Sequence, residues 1–236
     1  MSTTTRTQRI ASGDGAFDAH VALPAGGSGP GIGLLHEIFG VNDYVRDHAQ
    51  RLAGLGYVVL APDLFWRTQP GLELEHDEAG VQEGMAAMQK LDVPAAVGDA
   101  IAALAALRAM REVTDGKAGV LGFCLGGTLA YHVAVNGDPQ VAVVYYGAGI
   151  PSALDAAASI TCPMIMHWGG ADPYIPREQI DAVAAMAAGQ DRIECHVHEG
   201  AGHAFDNRAR MFYVPEASAA AWELTAAFLA RELPAR

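Results

Sequence analysis

Three side chains, Cys124, Asp172 and His203, are of the types that acyl transfer requires, and each falls on a loop just after an apolar run. Such a reaction needs a nucleophile, a base within hydrogen-bond reach, a group that orients the base, and two donors for the developing oxyanion. Cys124 lies in Gly122-Phe123-Cys124-Leu125-Gly126-Gly127, between the apolar run 118–121 and a helical stretch, 128–135. The G-x-S-x-G form of this pattern sets its central residue on a sharp strand-to-helix turn that flanking glycines make possible; here cysteine replaces serine. The helix N-terminus that follows favours a thiolate and offers N–H groups to an oxyanion. Asp172 stands in Gly170-Ala171-Asp172-Pro173 and His203 in Glu199-Gly200-Ala201-Gly202-His203-Ala204-Phe205. Taken singly, each has a structural explanation: a buried inert thiol, an Asx-turn or capping aspartate, a turn histidine. The glycines around them and the order nucleophile, acid, histidine weigh the other way.

Positioning these loops takes a sheet. Residues 9–23 read as an antiparallel hairpin broken at 12–15, and 24–30 as a Gly-rich turn. Buried strands are expected at 31–35, 57–61, 118–121, 141–146, 164–168 and 193–198. Helices are expected at 43–55, 81–90, 94–111, 128–135, 176–188 and 215–232. Strands alternating with helices give an α/β protein with a mostly parallel central sheet and helices on both faces. The order of the three loops is that of the α/β-hydrolase fold, as a single domain over 1–236. The strand at 31–35 runs into His36-Glu37-Ile38-Phe39-Gly40, the end of a strand where open α/β sheets place ligand contacts. Residues 66–80 lack periodicity and are rich in acids, so they read as a surface excursion, a common form of active-site lid. Gly31-Ile32-Gly33 does not continue into a dinucleotide fingerprint, because His36 stands where the third glycine belongs.

The chain of 236 residues is 51% hydrophobic with a formal charge of −12, which suits a sizeable core and repels nucleic acid and anionic membrane; small molecules are the expected partners. Residues 1–8 are polar and Thr-rich with no apolar signal, and the Ala-rich stretch 94–110 is interrupted by Asp99 and Arg108 and is too short to span a bilayer. Three cysteines without a C-x-x-C pair suggest neither disulfides nor a metal site, and fit a reducing cytoplasm. Cys162 and Cys195, and the histidines His132, His167, His196 and His198, read as structural.

The loops Gly122-Phe123-Cys124-Leu125-Gly126-Gly127, His36-Glu37-Ile38-Phe39-Gly40, Tyr145-Tyr146-Gly147, Gly170-Ala171-Asp172 and Ala201-Gly202-His203-Ala204-Phe205 together resemble the dienelactone hydrolase (carboxymethylenebutenolidase) family. The resemblance spans nearly the whole chain. It implies a hydrolase of lactones or activated esters that needs no cofactor and forms a thioester acyl-enzyme. Cys124 is then the nucleophile, His203 the base and Asp172 its orienter, with the N–H groups of Ile38 and Leu125 forming the oxyanion hole. It also implies that Glu37 contacts the resting thiol and helps generate the thiolate. The sequence departs from the family at two arginines that hold a substrate carboxylate, since those places fall on Gln82 and Asn207, with Arg208 one residue further on. A neutral or differently charged substrate is therefore expected, bound by Phe39, Tyr145 and a face carrying Met85 and Met88, methionines that equally suit plain core; Arg208 is a substrate-binding candidate. Other readings are a non-catalytic small-ligand scaffold, or the same triad acting on a thioester or peptide, in a monomer or small homo-oligomer.

Overall fold

The structure, a computed structural model, describes residues 3–13, 15–209 and 213–235. Its eight-stranded sheet comprises β1 (Thr4–Ser12), β2 (Gly15–Leu23), β3 (Gly29–Leu35), β4 (Val58–Pro62), β5 (Val113–Phe123), β6 (Ala142–Tyr145), β7 (Met164–Gly169) and β8 (Ile193–His198). The spatial order is β1-β2-β4-β3-β5-β6-β7-β8, with β1 and β2 antiparallel to their neighbours and β4 through β8 running parallel with β3. Packed on it are α1 (Asp43–Gly54), α2 (Glu78–Gln89), α3 (Val93–Arg108), α4 (Leu125–Asn136), α5 (Arg177–Ala188) and α6 (Pro215–Glu232). Every residue of β3, β4, β6 and β7 is buried, so both faces of the central sheet are covered by helices. This is the α/β-hydrolase fold that the motif order indicated. Among the described residues no helix is long and apolar enough to cross a membrane.

Two expectations change, and a third falls outside the described residues. The polar amino-terminal stretch is an edge strand from Thr4, whose outward side chains face water while β2 supplies the pairing. The expected hairpin turn includes Asp14, which lies outside the described residues. Helix α4 begins at Leu125, three residues earlier than its apolar spacing suggested, because Gly126 and Gly127 sit in the first turn against neighbouring backbone.

The stretch 66–80 runs over the surface, with only Leu72 and Gly80 buried, but it is tied down. The Leu74 N–H donates to the Phe39 carbonyl at 3.0 Å, Gly40 and Glu73 form an antiparallel bridge, and Asn42 Nδ2 donates to the Leu74 carbonyl at 3.1 Å. Its beginning is anchored on the buried Asp99 of α3, which accepts hydrogen bonds from Trp66 Nε1 at 2.7 Å, Arg67 Nε at 2.8 Å and Ser12 Oγ at 2.5 Å. Those partners are why a carboxylate interrupts the Ala-rich helix. They outweigh the burial that would otherwise raise its pKa, and hold the Asp99 carboxyl below its ordinary value.

Candidate active site

Strand β5 runs straight into α4 through Cys124, whose backbone has φ 53° and ψ −112°. A non-glycine residue at positive φ stores about 1–3 kcal/mol of strain, tolerated because the surroundings over-determine it. The flanking glycines make the turn possible as their pattern suggested: the positive φ falls on the cysteine, and the glycines permit the close approach of backbones around it. A Cβ on Gly122 would lie 2.0 Å from the Gly126 carbonyl oxygen, and one on Gly126 would lie 2.1 Å from that of Leu35. The turn leaves Cys124 half-buried at the C-terminal edge of the sheet.

The loops after β7 and β8 end at the same edge. His203 Nε2 is 3.1 Å from Cys124 Sγ, and His203 Nδ1 is 2.7 Å from Asp172 Oδ2. The other Asp172 oxygen accepts from the N–H groups of Tyr174 (2.8 Å) and Ile175 (3.1 Å), so the expected Asx turn is present and orients the carboxylate as well. Burial by itself would lower the His203 pKa. The charge on the Cys124 sulfur and the hydrogen bonds to Asp172 and Cys124 outweigh it and raise the value to about 10, so the imidazole readily holds a proton beside the sulfur.

Ile38 and Leu125 are nearly buried, and among the described residues neither N–H donates to a protein acceptor. Leu125 opens α4, where N–H groups have no intrahelical partner. Glu37 departs from expectation. Its carboxylate does not touch the thiol: Oε2 accepts from Asn207 Nδ2 at 2.8 Å and lies 3.7 Å from His76 Nε2, while the sulfur faces His203. The Asn207 amide captures it, with Oδ1 held by the Ala209 N–H at 3.1 Å and Nδ2 also 2.9 Å from His76 Nε2. Among the described residues no group of three or more His, Cys, Asp or Glu side chains is placed to hold a metal ion.

The sequence matches the dienelactone hydrolase family over residues 17–233. The chain belongs to that family. It is 35% identical over 225 residues to a carboxymethylenebutenolidase of a Pseudomonas species, covering 95% of this chain and 94% of the relative. It is 36% identical to the Pseudomonas putida carboxymethylenebutenolidase over 223 residues, 94% of each chain. A solved dienelactone hydrolase-like promiscuous phosphotriesterase from metagenomic libraries superposes with TM-score 0.81, at 24% identity, over 99% of this chain and 100% of its own; that likeness speaks for the fold alone. The chain is thus a dienelactone hydrolase-like hydrolase.

Gln82 is exposed on α2, and Asn207, fully buried, is committed to Glu37 and His76. Arg208 is exposed on the rim of a cavity of about 510 Å³ that is also lined by Tyr44, Arg51, His76 and Asn207, but not by Cys124 or His203. Met85 is exposed and Met88 packs against the core. Phe39 is buried with its ring 4.4 Å from that of His76, forming the wall under the Glu37 cluster. Tyr145 is fully buried and its hydroxyl pairs with Thr225 Oγ1 at 2.8 Å. Tyr146, equally buried, leaves the strand at φ 39°, a turn that strand alternation does not reveal, and packs beside the triad. Its ring lies 5.1 Å from His203.

Sequence reasoning missed the support behind the histidine. Asp206, three residues after His203, accepts from Tyr44 Oη (2.9 Å), His48 Nε2 (2.9 Å) and Ser218 Oγ (2.7 Å), and Tyr44 lies 3.4 Å from the Tyr146 hydroxyl. Its adjacency to His203 was the available signal. His167, read as structural, is so: it is enclosed, with Nε2 3.0 Å from Thr225 Oγ1.

The three thiols of this family member should react in a fixed order. Burial pushes both Cys162 and Cys195 up to about 11, whereas Cys124 is half-exposed, beside His203 and at a helix N-terminus. Iodoacetamide at neutral pH is expected to modify Cys124 first, at least about tenfold faster than the others, with activity lost in step. Peptide mapping by mass spectrometry reads the order, and earlier modification of Cys162 or Cys195 would contradict the assignment.

Proposed function

We propose that the chain, acting as one domain, hydrolyses a neutral carboxylic ester or lactone of small size through Cys124, His203 and Asp172. The observation that carries the reading is the continuous set of contacts from Cys124 Sγ through His203 to Asp172. The thiol proton passes to His203 Nε2 and the sulfur attacks the carbonyl carbon. As the C–S bond forms, the carbonyl electrons move to oxygen, which the N–H groups of Ile38 and Leu125 stabilise. Collapse expels the alkoxide, which takes the proton from Nε2, and leaves a thioester. Water then attacks, giving a proton to Nε2; the C–S bond breaks, the acid departs, and the sulfur recovers its proton. Asp172 keeps Nδ1 protonated and the ring aimed throughout. Glu37 is a second proton acceptor, reached when the thiol turns away from His203, and Tyr146 with Phe39 shapes the acyl pocket.

The charge of the substrate is inferred from the residues at the places expected to hold arginines. Gln82 and Asn207 are neutral, and Asn207 is the amide donor to the buried Glu37. A substrate carboxylate placed against Glu37 and Asn207 would lose hydration worth several kcal/mol and meet a second carboxylate, while Arg51 and Arg208 line a neighbouring cavity that Cys124 and His203 do not line. Comparison of kcat/KM for a dienelactone carboxylate and its methyl ester tests this. The methyl ester is expected to win by about 10-fold or more; a preference for the free carboxylate, lost in Arg208→Ala, would overturn the neutral-substrate reading.

A further inference from the structure

His36 is fully buried and takes no part in the chemistry above. The backbone N–H of Leu64 donates to its Nε2 at 3.1 Å. A backbone N–H can only donate, so Nε2 carries the lone pair and the ring proton sits on Nδ1. Nδ1–H in turn donates to the Glu37 carbonyl oxygen at 2.5 Å. Burial, the largest influence, lowers the His36 pKa and favours this neutral form.

Holding that carbonyl has a geometric consequence. The described chain contains no cis peptide, and in a trans peptide the C=O and N–H point in opposite directions. The N–H sharing a peptide plane with the Glu37 carbonyl belongs to Ile38. A hydrogen bond that pins the one therefore aims the other, and a flip of this single plane would replace the oxyanion donor by a carbonyl oxygen. The main chain of His36 fixes the second donor: its carbonyl accepts from the Gly126 N–H at 3.0 Å, next to Leu125 at the start of α4.

We propose that His36 is a positioning residue for the oxyanion hole: its Nδ1–H locks the Glu37–Ile38 peptide so that the Ile38 N–H faces the carbonyl oxygen of the substrate. This rests on the oxyanion-hole reading above, and the experiment separates the two. Asparagine can keep a donor where Nδ1 stood; glutamine can keep an acceptor where Nε2 stood but loses the Nδ1 donor. For wild type, His36→Asn and His36→Gln, kcat and KM are measured for an ester and its thionoester, whose larger, weakly accepting sulfur fits an oxyanion hole poorly. The rate of Cys124 alkylation by iodoacetamide, a displacement at carbon that forms no oxyanion, is measured beside them.

Wild type is expected to prefer the ester strongly. His36→Gln is expected to lose about 10²–10³ in kcat for the ester, with KM changed by less than about threefold, and to lose much of that preference. His36→Asn should remain within about tenfold of wild type, and alkylation should stay within about threefold in all three. If wild type treats ester and thionoester alike, the oxyanion-hole reading fails and the proposal with it. If wild type discriminates while His36→Gln keeps both rate and preference, the role of His36 alone is overturned. Equal losses in Asn and Gln, or alkylation slowed in step with turnover, would show general distortion and also overturn it. Should the glutamine variant not fold, loss of the ester preference in a folded asparagine variant would do so by itself.

Discussion

Alanine at Cys124, His203 or Asp172 is expected to lower kcat by about 10⁴-fold or more, and alanine at two or all three positions to cost little beyond the largest single loss. The reason lies in the chain of contacts. In the proposed mechanism no acyl-enzyme forms without Cys124, and the 3.1 Å neighbour of His203 is gone. Without His203 the thiol has no base, and the leaving alkoxide has no acid. Without Asp172 the buried imidazole loses the 2.7 Å partner at Nδ1 that selects its tautomer, and with it part of what raises its pKa to about 10. Each residue works only through the others, so the second removal takes away a function already lost. Single-turnover rates for the three single and three double variants, with folding confirmed by circular dichroism, provide the measurement. Losses that multiply across pairs would mean that the three act separately, and the triad would have to be abandoned.

Asp206→Ala is expected to be the most damaging change outside the triad, costing about 3–5 kcal/mol of stability. The carboxylate is almost wholly enclosed and holds Tyr44, His48 and Ser218 at 2.7–2.9 Å. Truncation removes the acceptor shared by two buried donors, His48 and Ser218, and the half-buried Tyr44. For a chain of this length that corresponds to a fall in Tm of roughly 6–20 °C. Asp206→Asn should cost about 1–2 kcal/mol, because its oxygen can serve Tyr44 and His48 while its amide turns to the Ser218 hydroxyl. Burial opposes the charged form of Asp206, but the hydrogen bonds to His48, Ser218 and Tyr44 prevail and hold its pKa below the ordinary value. The group therefore binds its proton less readily folded than unfolded. Its contribution is complete above the unfolded carboxylate pKa and disappears as pH falls through the folded one. Because Tyr44 reaches Tyr146, whose ring packs on His203, a folded Asp206→Ala should also lose about tenfold in kcat. Thermal melts and turnover of the two variants check both effects; a melt within 2 °C of wild type for the alanine variant would contradict the account.

The sequence by itself determined the fold class, the family and the loops that carry Cys124, Asp172 and His203. Apolar runs of strand and helix length, and glycines that must stand where backbones touch, are local properties, readable without knowing what lies across the sheet. Only the tertiary structure decided the polar contacts between distant segments. Glu37 went to Asn207 rather than to the thiol because residues 170 positions apart meet behind the nucleophile. His76, lost among the acids of residues 66–80, entered the site because backbone bonds to Phe39 and Asn42 draw that stretch inward. Tyr146 packs on His203 because one residue at φ 39° breaks the alternation from which a strand's faces are read. Thr4 begins a strand because its ladder partner is Leu23, and polar side chains on the outer strand cost nothing in water. In each case periodicity is silent, since the interaction depends on where a side chain ends up pointing once separate elements have packed.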